Sequence, residues 1–186
     1  VLGKIEDLAL IYERYIGLPW QSTVAGAQRV VIVVYDKELE RIFRARKDEF
    51  AQRTRAVGHV WIEYDCTRCF AEWMAADEYR EEYFNYPEDL QMKVASEFCT
   101  HVADSLSDSL KTGDNNTVVA LTGVASLYGF MRVSDLVRTV EQDIKGRLVV
   151  FFPGTKDGSN YRLLDARDGW NYLAYSITSN GSGGAA

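Results

Sequence analysis

The chain has 186 residues, of which 47% are hydrophobic and 26% are charged, as in an ordinary soluble globular protein. Its 27 acidic residues outnumber its 21 basic residues, giving a net charge of −6, which argues against a general phosphate-binding surface. No apolar run approaches the roughly 20 residues needed to span a bilayer, and no secretory signal pattern opens the chain. We therefore expect a cytoplasmic protein with no membrane contact and no direct strong nucleic-acid binding.

The three cysteines and two histidines limit the chemistry that the chain can perform. An odd number of cysteines suits a reducing compartment and does not form a disulfide framework. The two histidines, His59 and His101, lie far apart in the sequence and have no paired cysteine or serine motif. The sequence predicts no bound metal and no cofactor.

The first half of the chain alternates between helical and strand patterns. Apolar residues at helical spacing predict a helix over residues 2–16, which Gly17 and Pro19 end. The β-branched run Arg29–Tyr35 is apolar on both faces, which is typical of a central strand. Asp36 follows this run and is predicted to cap the next helix.

The same alternation continues to residue 146. Asp65 is predicted to cap a helix after the second strand, and Pro87 is predicted to begin the longest amphipathic helix, which Gly113 ends. The predicted elements of this part are a strand over 59–64, helices containing residues 70–74 and 87–112, a strand over 117–121, a turn over 123–129 and a helix over 133–144.

Residues 147–177 follow a different pattern. The apolar run Leu148–Phe152 stops at Pro153 and Gly154, and only eight residues, Pro153 to Asn160, separate it from the next run, which begins at Tyr161. A parallel crossover needs about a dozen or more residues. These strands are therefore predicted to pair antiparallel, as a meander.

Together the elements predict an α/β fold, a three-layer sandwich with a mixed, mainly parallel central sheet and a C-terminal antiparallel meander towards one edge. Residues 1–178 are expected to form one domain. Residues 179–186 are rich in glycine and serine, which is typical of a flexible tail, either a linker or an added remnant.

The loops that leave the carboxyl ends of the strands are the first candidate site, because ligands of α/β sheets favour that edge. Their candidate residues are Asp36, Thr122, Gly123, Pro153 and Gly154. No phosphate-binding Gly-x-x-x-x-Gly-Lys-Ser/Thr pattern follows a strand, and the segment Gly123–Gly129 lacks the lysine. A degenerate nucleotide- or nucleic-acid-processing enzyme that uses these loops stays open as an alternative function.

The end of the meander is the second candidate, because it is unusually dense in polar and aromatic residues. An ion-pair network that fixes the meander is one interpretation, and a partner surface that includes exposed aromatic residues is the other. The residues concerned are Arg162, Asp165, Arg167, Asp168, Trp170, Asn171 and Tyr172.

Two further patterns have both a chemical and a structural interpretation. Cys66-Thr-Arg-Cys69 follows a strand, as redox motifs do, but two ordinary cysteines on a buried helix face explain it as well. Asp36, Asp65, Asp165 and Asp168 could form a carboxylate cluster, but capping and turn chemistry explain three of them, Asp36, Asp65 and Asp168.

The chain also resembles the BrxB family of bacterial BREX phage-defence systems, from Ile5 to Thr178. Cys66 and Cys69 are not part of that pattern. The matching segments are Leu18-Pro19-Trp20, Ala25–Val31, Trp73–Ala76, Glu78–Glu81, Val118–Gly129, Phe151–Gly154 and Asn160–Ala174.

The resemblance implies an accessory component of a defence system that methylates host DNA and blocks the replication of unmarked phage. It implies no catalytic residues, so a non-catalytic interaction protein is the favoured interpretation. The expected partner is PglZ, a phosphatase-like protein, and the large ATPase and the methyltransferase of BREX systems are further candidate partners.

Overall fold

A computed structural model describes residues 2–158, 160–164, 166–167, 174–179 and 181–183 of the chain. Its α-helices are α1 (Leu2–Ile16), α2 (Glu40–Ala56), α3 (Cys69–Ala75), α4 (Arg80–Asn85), α5 (Pro87–Lys93), α6 (Cys99–Thr112) and α7 (Val133–Val140). Its strands are β1 (Val30–Tyr35), β2 (Val60–Asp65), β3 (Thr117–Thr122), β4 (Arg147–Asp157), β5 (Asn160–Leu163), β6 (Ala166–Arg167), β7 (Tyr175–Thr178) and β8 (Gly181–Gly183).

The main sheet has the strand order β2-β3-β4-β1-β7-β8. The neighbours from β2 to β7 are parallel, and β8 is antiparallel to β7. Every residue of β1 and β3 is buried, as expected for central strands, whereas β2 is a partly exposed edge strand. The predicted α/β fold with a mainly parallel sheet is confirmed.

Helices cover both faces of this sheet. Val31 and Val33 of β1 pack in the core that α1 and α2 close, whereas Val30 and Ile32 pack in the core on the side of α6 and α7. Successive strand residues point to opposite faces, so a strand that is apolar throughout requires a helical layer on each side. The three-layer arrangement is therefore confirmed.

An aromatic cluster fills the α1–α2 side of the core. Phe151 of β4 is fully buried, and its ring centroid lies 4.9 Å from those of both Phe43 and Phe50. The ring of Tyr12 lies 6.4 Å from Phe151, and its buried hydroxyl group forms a 2.6 Å hydrogen bond with the hydroxyl of Thr54. This layer thus combines close ring packing with a satisfied buried polar pair.

Both predicted aspartate caps are confirmed. The Asp36 carboxylate accepts a 3.0 Å hydrogen bond from the Glu38 amide, and the Asp65 carboxylate accepts one of 2.9 Å from the Thr67 amide. Each cap opens a short 3₁₀ turn that leads into the following α-helix.

The predicted long helix runs from Pro87 to Thr112, but it contains a π-helical segment, Val94–Phe98, between α5 and α6. A π-helical segment adds a residue to one turn, so it shifts the helical phase that a four-residue repeat in the sequence suggests. Within the described residues, no helix is both long and apolar enough to cross a membrane.

The antiparallel meander is confirmed, but it does not extend the edge of the main sheet. Strand β4 pairs with β1 and β3 in its first part, and its last residues, from Gly154 to Asp157, pair with β5, which pairs with β6. The meander therefore continues from the carboxyl end of a central strand. Strand β7 does not belong to it, because β7 pairs parallel to β1.

Strand β8 lies in the segment that the sequence places in a flexible tail. Its residues, Gly181–Gly183, pair with β7. An edge strand presents unpaired amide and carbonyl groups, and a glycine-rich segment with no bulky side chains can pair with them. The expected boundary between a domain over residues 1–178 and a flexible tail stays a prediction.

Candidate functional site

The predicted strand-end residues all lie along the carboxyl edge of the sheet, but they fall into two groups. Asp36 and Gly154 line one cavity, at the ends of β1, β4 and β7. Thr122 and Gly123 lie at the ends of β2 and β3, beside Glu63 and Asp65. Pro153 pairs with Tyr35 within the parallel sheet.

The cavity at β1, β4 and β7 has a volume of about 670 Å³ and a mostly polar lining. Two lysines from different elements contribute to it, Lys4 of α1 and Lys156 of β4. The lining residues are Lys4, Leu8, Val34, Tyr35, Asp36, Leu39, Gly154, Thr155, Lys156, Gly158, Ser176, Thr178 and Ser179. A cavity of this size with two ammonium groups could accept a small anionic ligand.

Lys156 of β4 and Ser176 of β7 form a polar pair in the lining of this cavity, and Tyr161 of β5 lies beside them. The ammonium of Lys156 donates a 2.5 Å hydrogen bond to the Ser176 hydroxyl and lies 5.8 Å from the centre of the Tyr161 ring. Burial raises the pKa of Tyr161, and its hydrogen bond with Ser176 acts in the opposite direction. These contacts fix β5 and β7 against the end of β4.

Two of the predicted residues in this cavity have structural explanations. The carboxylate of Asp36 is engaged by the Glu38 amide. A Cβ atom at position 154 would lie 1.9 Å from the carbonyl oxygen of Arg162, so Gly154 allows β5 to approach β4. The cap and the close approach of β5 therefore explain why Asp36 and Gly154 occur at these strand ends, without a ligand.

The second group is an ion-pair network between α2, β2 and β3. The Lys47 ammonium lies 2.5 Å from the Glu63 carboxylate and 3.4 Å from Asp65, and the Thr122 hydroxyl donates a 2.9 Å hydrogen bond to Glu63. Burial acts to raise the pKa of Asp65, but hydrogen bonds from Thr67 and the charge of Lys47 hold it below its usual value.

Gly123 closes this network. Its φ angle is +68°, and a Cβ atom there would lie 2.4 Å from the Thr67 hydroxyl oxygen and 2.5 Å from the Asp65 carboxylate. Only glycine accepts both the left-handed backbone and the close approach without strain. The network thus positions the turn after β3, with its carboxylates engaged by protein groups.

Of the four aspartates that could have formed a carboxylate cluster, the structure describes Asp36 and Asp65, which lie in the two different groups. Asp165 and Asp168 lie outside the described residues. Within the described residues, no three His, Cys, Asp or Glu side chains are grouped so that they could hold a metal ion.

The two cysteines of the Cys-x-x-Cys segment interact at the end of β2. A hydrogen bond with Cys66 lowers the pKa of Cys69 to about 7, although burial acts to raise it. The Cys69 thiol lies 3.6 Å from the Tyr64 hydroxyl, and Cys66 belongs to the hydrophobic core. The pair thus has one inaccessible thiol and one half-buried thiol with thiolate character at neutral pH.

Much of the predicted site in the meander lies outside the described residues, namely Asp165, Asp168, Trp170, Asn171 and Tyr172. Arg162 is exposed on β5, and its backbone pairs with Thr155 on one side and Arg167 on the other. The ion-pair network and the partner surface therefore both stay predictions.

Another unusual surface lies on α4 and α5. Within residues 75–93, all of which the structure describes, no residue is buried. Phe84 is 63% exposed and Met92 is 81% exposed, and Tyr79 and Tyr86 are also exposed. We call these four residues the aromatic surface. Exposed apolar side chains concentrated in one segment indicate an interaction site.

The aromatic surface is also acidic. Residues 77–93 contain the carboxylates Asp77, Glu78, Glu81, Glu82, Glu88 and Asp89, and the cations Arg80 and Lys93. Lys93 lies near Asp77 and Glu97 and over the rings of Trp73 and Tyr83. Its hydrogen bond holds the pKa of Asp77 below the usual value. Lys93 thereby links α3, α4 and α5, so the segment has a defined shape.

A groove runs beside this surface, between the long helix and the segment that follows β3. It consists of two cavities, of about 530 and 430 Å³, which share Ala95 and Phe130. The first is lined by Pro87, Leu90, Gln91, Val94, Ala95, Gly129 and Phe130. The second is lined by Ala95, Cys99, Thr100, Ala103, Asp104, Phe130, Met131, Arg132, Asp135 and Thr139. We call the two cavities together the helix groove.

Comparison with known protein families gives one match. The family described as BREX protein BrxB matches residues 61–177, more than half of the chain. The chain belongs to the BrxB family. The match is narrower than the resemblance from Ile5 to Thr178, because α1, β1 and α2 precede it. No curated protein and no solved structure matches the chain.

Membership of the BrxB family supports the expected role as an accessory protein of BREX phage defence, acting with other BREX components. The part of the chain that matches BrxB contains both the aromatic surface and the helix groove. It also contains β4 and the meander.

The aromatic surface is the feature that sequence reasoning missed. Its signal was present, because acidic and aromatic residues alternate between Asp77 and Tyr86 without a helical repeat. A helical segment without a consistent apolar face cannot bury one side against the core of the protein, so its apolar residues stay exposed. Lys47 and Glu63 were also missed, because nothing in the sequence places a helix residue beside a strand end.

Proposed function

We propose that the protein is a non-catalytic accessory subunit that binds the phosphatase-like protein PglZ within a BREX phage-defence assembly. The observation that carries this proposal is the aromatic surface, with Phe84 63% exposed and Met92 81% exposed in a segment without a buried residue. Aromatic and methionine side chains are enriched at protein interfaces. Family membership supports the BREX context.

Co-expression with PglZ from the same BREX system tests the proposal. The two proteins should elute as one complex in size-exclusion chromatography at micromolar concentration, and they should do so without ligand or nucleic acid. Elution as two separate species at that concentration would contradict the proposed partnership.

Substitutions in the aromatic surface locate the contact. Phe84→Ser combined with Met92→Ser should weaken the complex by at least about tenfold, which corresponds to about 1.4 kcal/mol. Leu18→Ser is the matched control, because Leu18 is an exposed apolar residue outside this surface. Equal loss of binding in both variants would indicate a general effect on folding, and equal retention would place the contact elsewhere.

A second candidate function is a degenerate nucleotide- or nucleic-acid-processing enzyme. The observation that favours it is the cavity of about 670 Å³ at the strand ends, which Lys4 and Lys156 line. A thermal-shift experiment with nucleotides and divalent metal ions tests it. A ligand at 100 times its dissociation constant adds about 2.7 kcal/mol of stability.

For a chain of this length that stabilisation should raise the melting temperature by roughly 5–10 °C. Lys156→Met should abolish the shift if the cavity is the binding site. The absence of a shift with every nucleotide and metal would rule against this function.

A further inference from the structure

Cys66 and Cys69 are a pair of free thiols that the proposed interaction role does not use. They stand at the two ends of the 3₁₀ turn that follows β2, where the Cys69 amide donates a hydrogen bond to the Cys66 carbonyl oxygen. Side chains three residues apart eclipse one another in a 3₁₀ helix. The backbone therefore places the two thiol-bearing side chains on the same side of the turn.

The geometry of this turn suits a disulfide bond. Three residues at a rise of about 2.0 Å each put the two Cα atoms roughly 6 Å apart. Cysteines joined by a disulfide most often have their Cα atoms about 5.5–6 Å apart. The two thiols already share a hydrogen bond. A disulfide between Cys66 and Cys69 therefore fits the backbone that the structure has.

The two thiols differ in their access to solvent. Cys66 is 1% exposed and packs in the core on the side of α6 and α7. Cys69 is half-buried, and its sulfur lies 3.6 Å from the Tyr64 hydroxyl. A reagent in solution therefore reaches Cys69, whereas Cys66 is placed to react with whatever is attached to the Cys69 sulfur. Redox-sensing cysteines often have such a second, resolving cysteine beside them.

The ionisation of the two thiols divides in the same way. Hydrogen bonds from Cys66 and Tyr64 lower the pKa of Cys69 to about 7, while burial and the charges of Glu72 and Asp65 act in the opposite direction. The hydrogen bond with Cys69 and burial hold the pKa of Cys66 well above its usual value. In disulfide exchange the thiolate attacks, and a thiol whose pKa lies near the ambient pH attacks best. Cys69 is therefore the thiol that reacts first.

We propose that Cys66 and Cys69 form a reversible redox pair, which a small-molecule disulfide oxidises to an intramolecular disulfide bond. First the Cys69 thiolate attacks one sulfur of the small disulfide RSSR, and a thiolate RS⁻ leaves, which takes up the proton that Cys69 released. Then the Cys66 sulfur attacks the Cys69 sulfur of this mixed disulfide, and the second RS⁻ leaves with the Cys66 proton. The protein thiols lose two electrons, and RSSR gains them as it becomes two RSH.

Oxidised glutathione is the probe, because its disulfide accepts both electrons. The reduced protein is equilibrated near neutral pH with rising ratios of oxidised to reduced glutathione, quenched with acid, alkylated and digested with trypsin. Arg68 lies between the two cysteines, so trypsin puts them in separate peptides that only a disulfide joins. Mass spectrometry should show these peptides joined and free of glutathione, and dithiothreitol should separate them again.

Cys99 is the control thiol in the same molecule. It is half-buried like Cys69, but burial raises its pKa. A few per cent or less of this thiol is therefore ionised near neutral pH. The larger thiolate fraction of Cys69 outweighs the lower nucleophilicity of a low-pKa thiolate, so Cys69 should exchange with glutathione at least about fivefold faster than Cys99.

Two variants separate the roles of the paired thiols. In Cys66→Ala, glutathione should remain on Cys69 as a mixed disulfide, because the resolving thiol is missing. In Cys69→Ala, the buried Cys66 should react with glutathione at least about tenfold more slowly than Cys69 does in the unmodified protein. Circular dichroism confirms that each variant is folded, and the measurement on the unmodified protein stands even where a variant fails to fold.

Any of three results would overturn the proposal. The first is no joined peptide at the most oxidising glutathione ratio, and the second is a stable glutathione adduct on Cys69 of the unmodified protein. The third is exchange at Cys99 as fast as at Cys69. The proposal does not depend on the PglZ partnership, because neither thiol belongs to the aromatic surface, so failure of PglZ to bind would leave these expected results unchanged.

Discussion

Replacing Phe151 with alanine tests the core between the sheet and the α1–α2 layer. The Phe151 side chain is fully buried, and the centroids of two phenylalanine rings, Phe43 and Phe50, lie 4.9 Å from its own. The substitution removes roughly 150 Å² of buried apolar area, which at about 25 cal/mol per Å² corresponds to about 4 kcal/mol. This value agrees with the loss of about 3–5 kcal/mol in unfolding free energy that is typical of a buried Phe→Ala substitution, including the cost of the cavity left behind.

Urea denaturation followed by far-ultraviolet circular dichroism measures this change. Phe84→Ala is the matched control, because it is the same chemical change at a side chain that is 63% exposed. The control should alter the free energy of unfolding by less than about 0.5 kcal/mol. The melting temperature of Phe151→Ala should fall by roughly 8–16 °C. Equal destabilisation by the two substitutions would refute the assignment of Phe84 to an open surface.

Three further predictions concern the turns and the titrating groups. Gly123→Ala should cost about 1–3 kcal/mol of stability, because φ at Gly123 is +68° and a Cβ atom would lie 2.4 Å from the Thr67 hydroxyl oxygen. Gly129→Ala should cost about 1 kcal/mol, because φ at Gly129 is +85° but a Cβ atom would meet no other atom. Urea denaturation of both variants measures the difference. Because the pKa of Cys69 is lowered to about 7, its alkylation by iodoacetamide, followed by mass spectrometry, should rise through pH 7, and a midpoint near 9 would contradict this. The lowered pKa of Asp77 stabilises the fold above the usual Asp pKa, and this contribution is lost as the pH falls through the lowered value. In NMR titrations, Lys93→Met should therefore raise the pKa of Asp77, and an unchanged value would contradict the pairing.

Local patterns in the sequence predicted most of the elements. The β-branched run before Tyr35 required a strand covered on both sides, and Asp36 and Asp65 formed the caps that their positions indicated. The short connection after Pro153 required antiparallel pairing with the next strand. Each of these features depends on residues close together in the chain, which is why the sequence reveals them.

Features that depend on distant residues could not be predicted in this way. The parallel pairing of β7 with β1 joins residues such as Val33 and Ile177, and no local pattern specifies that contact. The same is true of the helix groove, which Leu90 and Phe130 form from opposite sides. The aromatic surface is different, since its residues are close in sequence, but its exposure depends on which helices cover the sheet.

The division of β4 between two pairings has a consequence for hydrogen exchange. Val149 and Val150 pair with both β3 and β1 in the middle of the sheet, whereas Thr155 and Lys156 pair with β5 beyond it. Amides in the first part should exchange only when the whole protein unfolds, and those in the second part through local opening. A single strand thus spans two cooperative units, and the meander can open while the sheet stays intact.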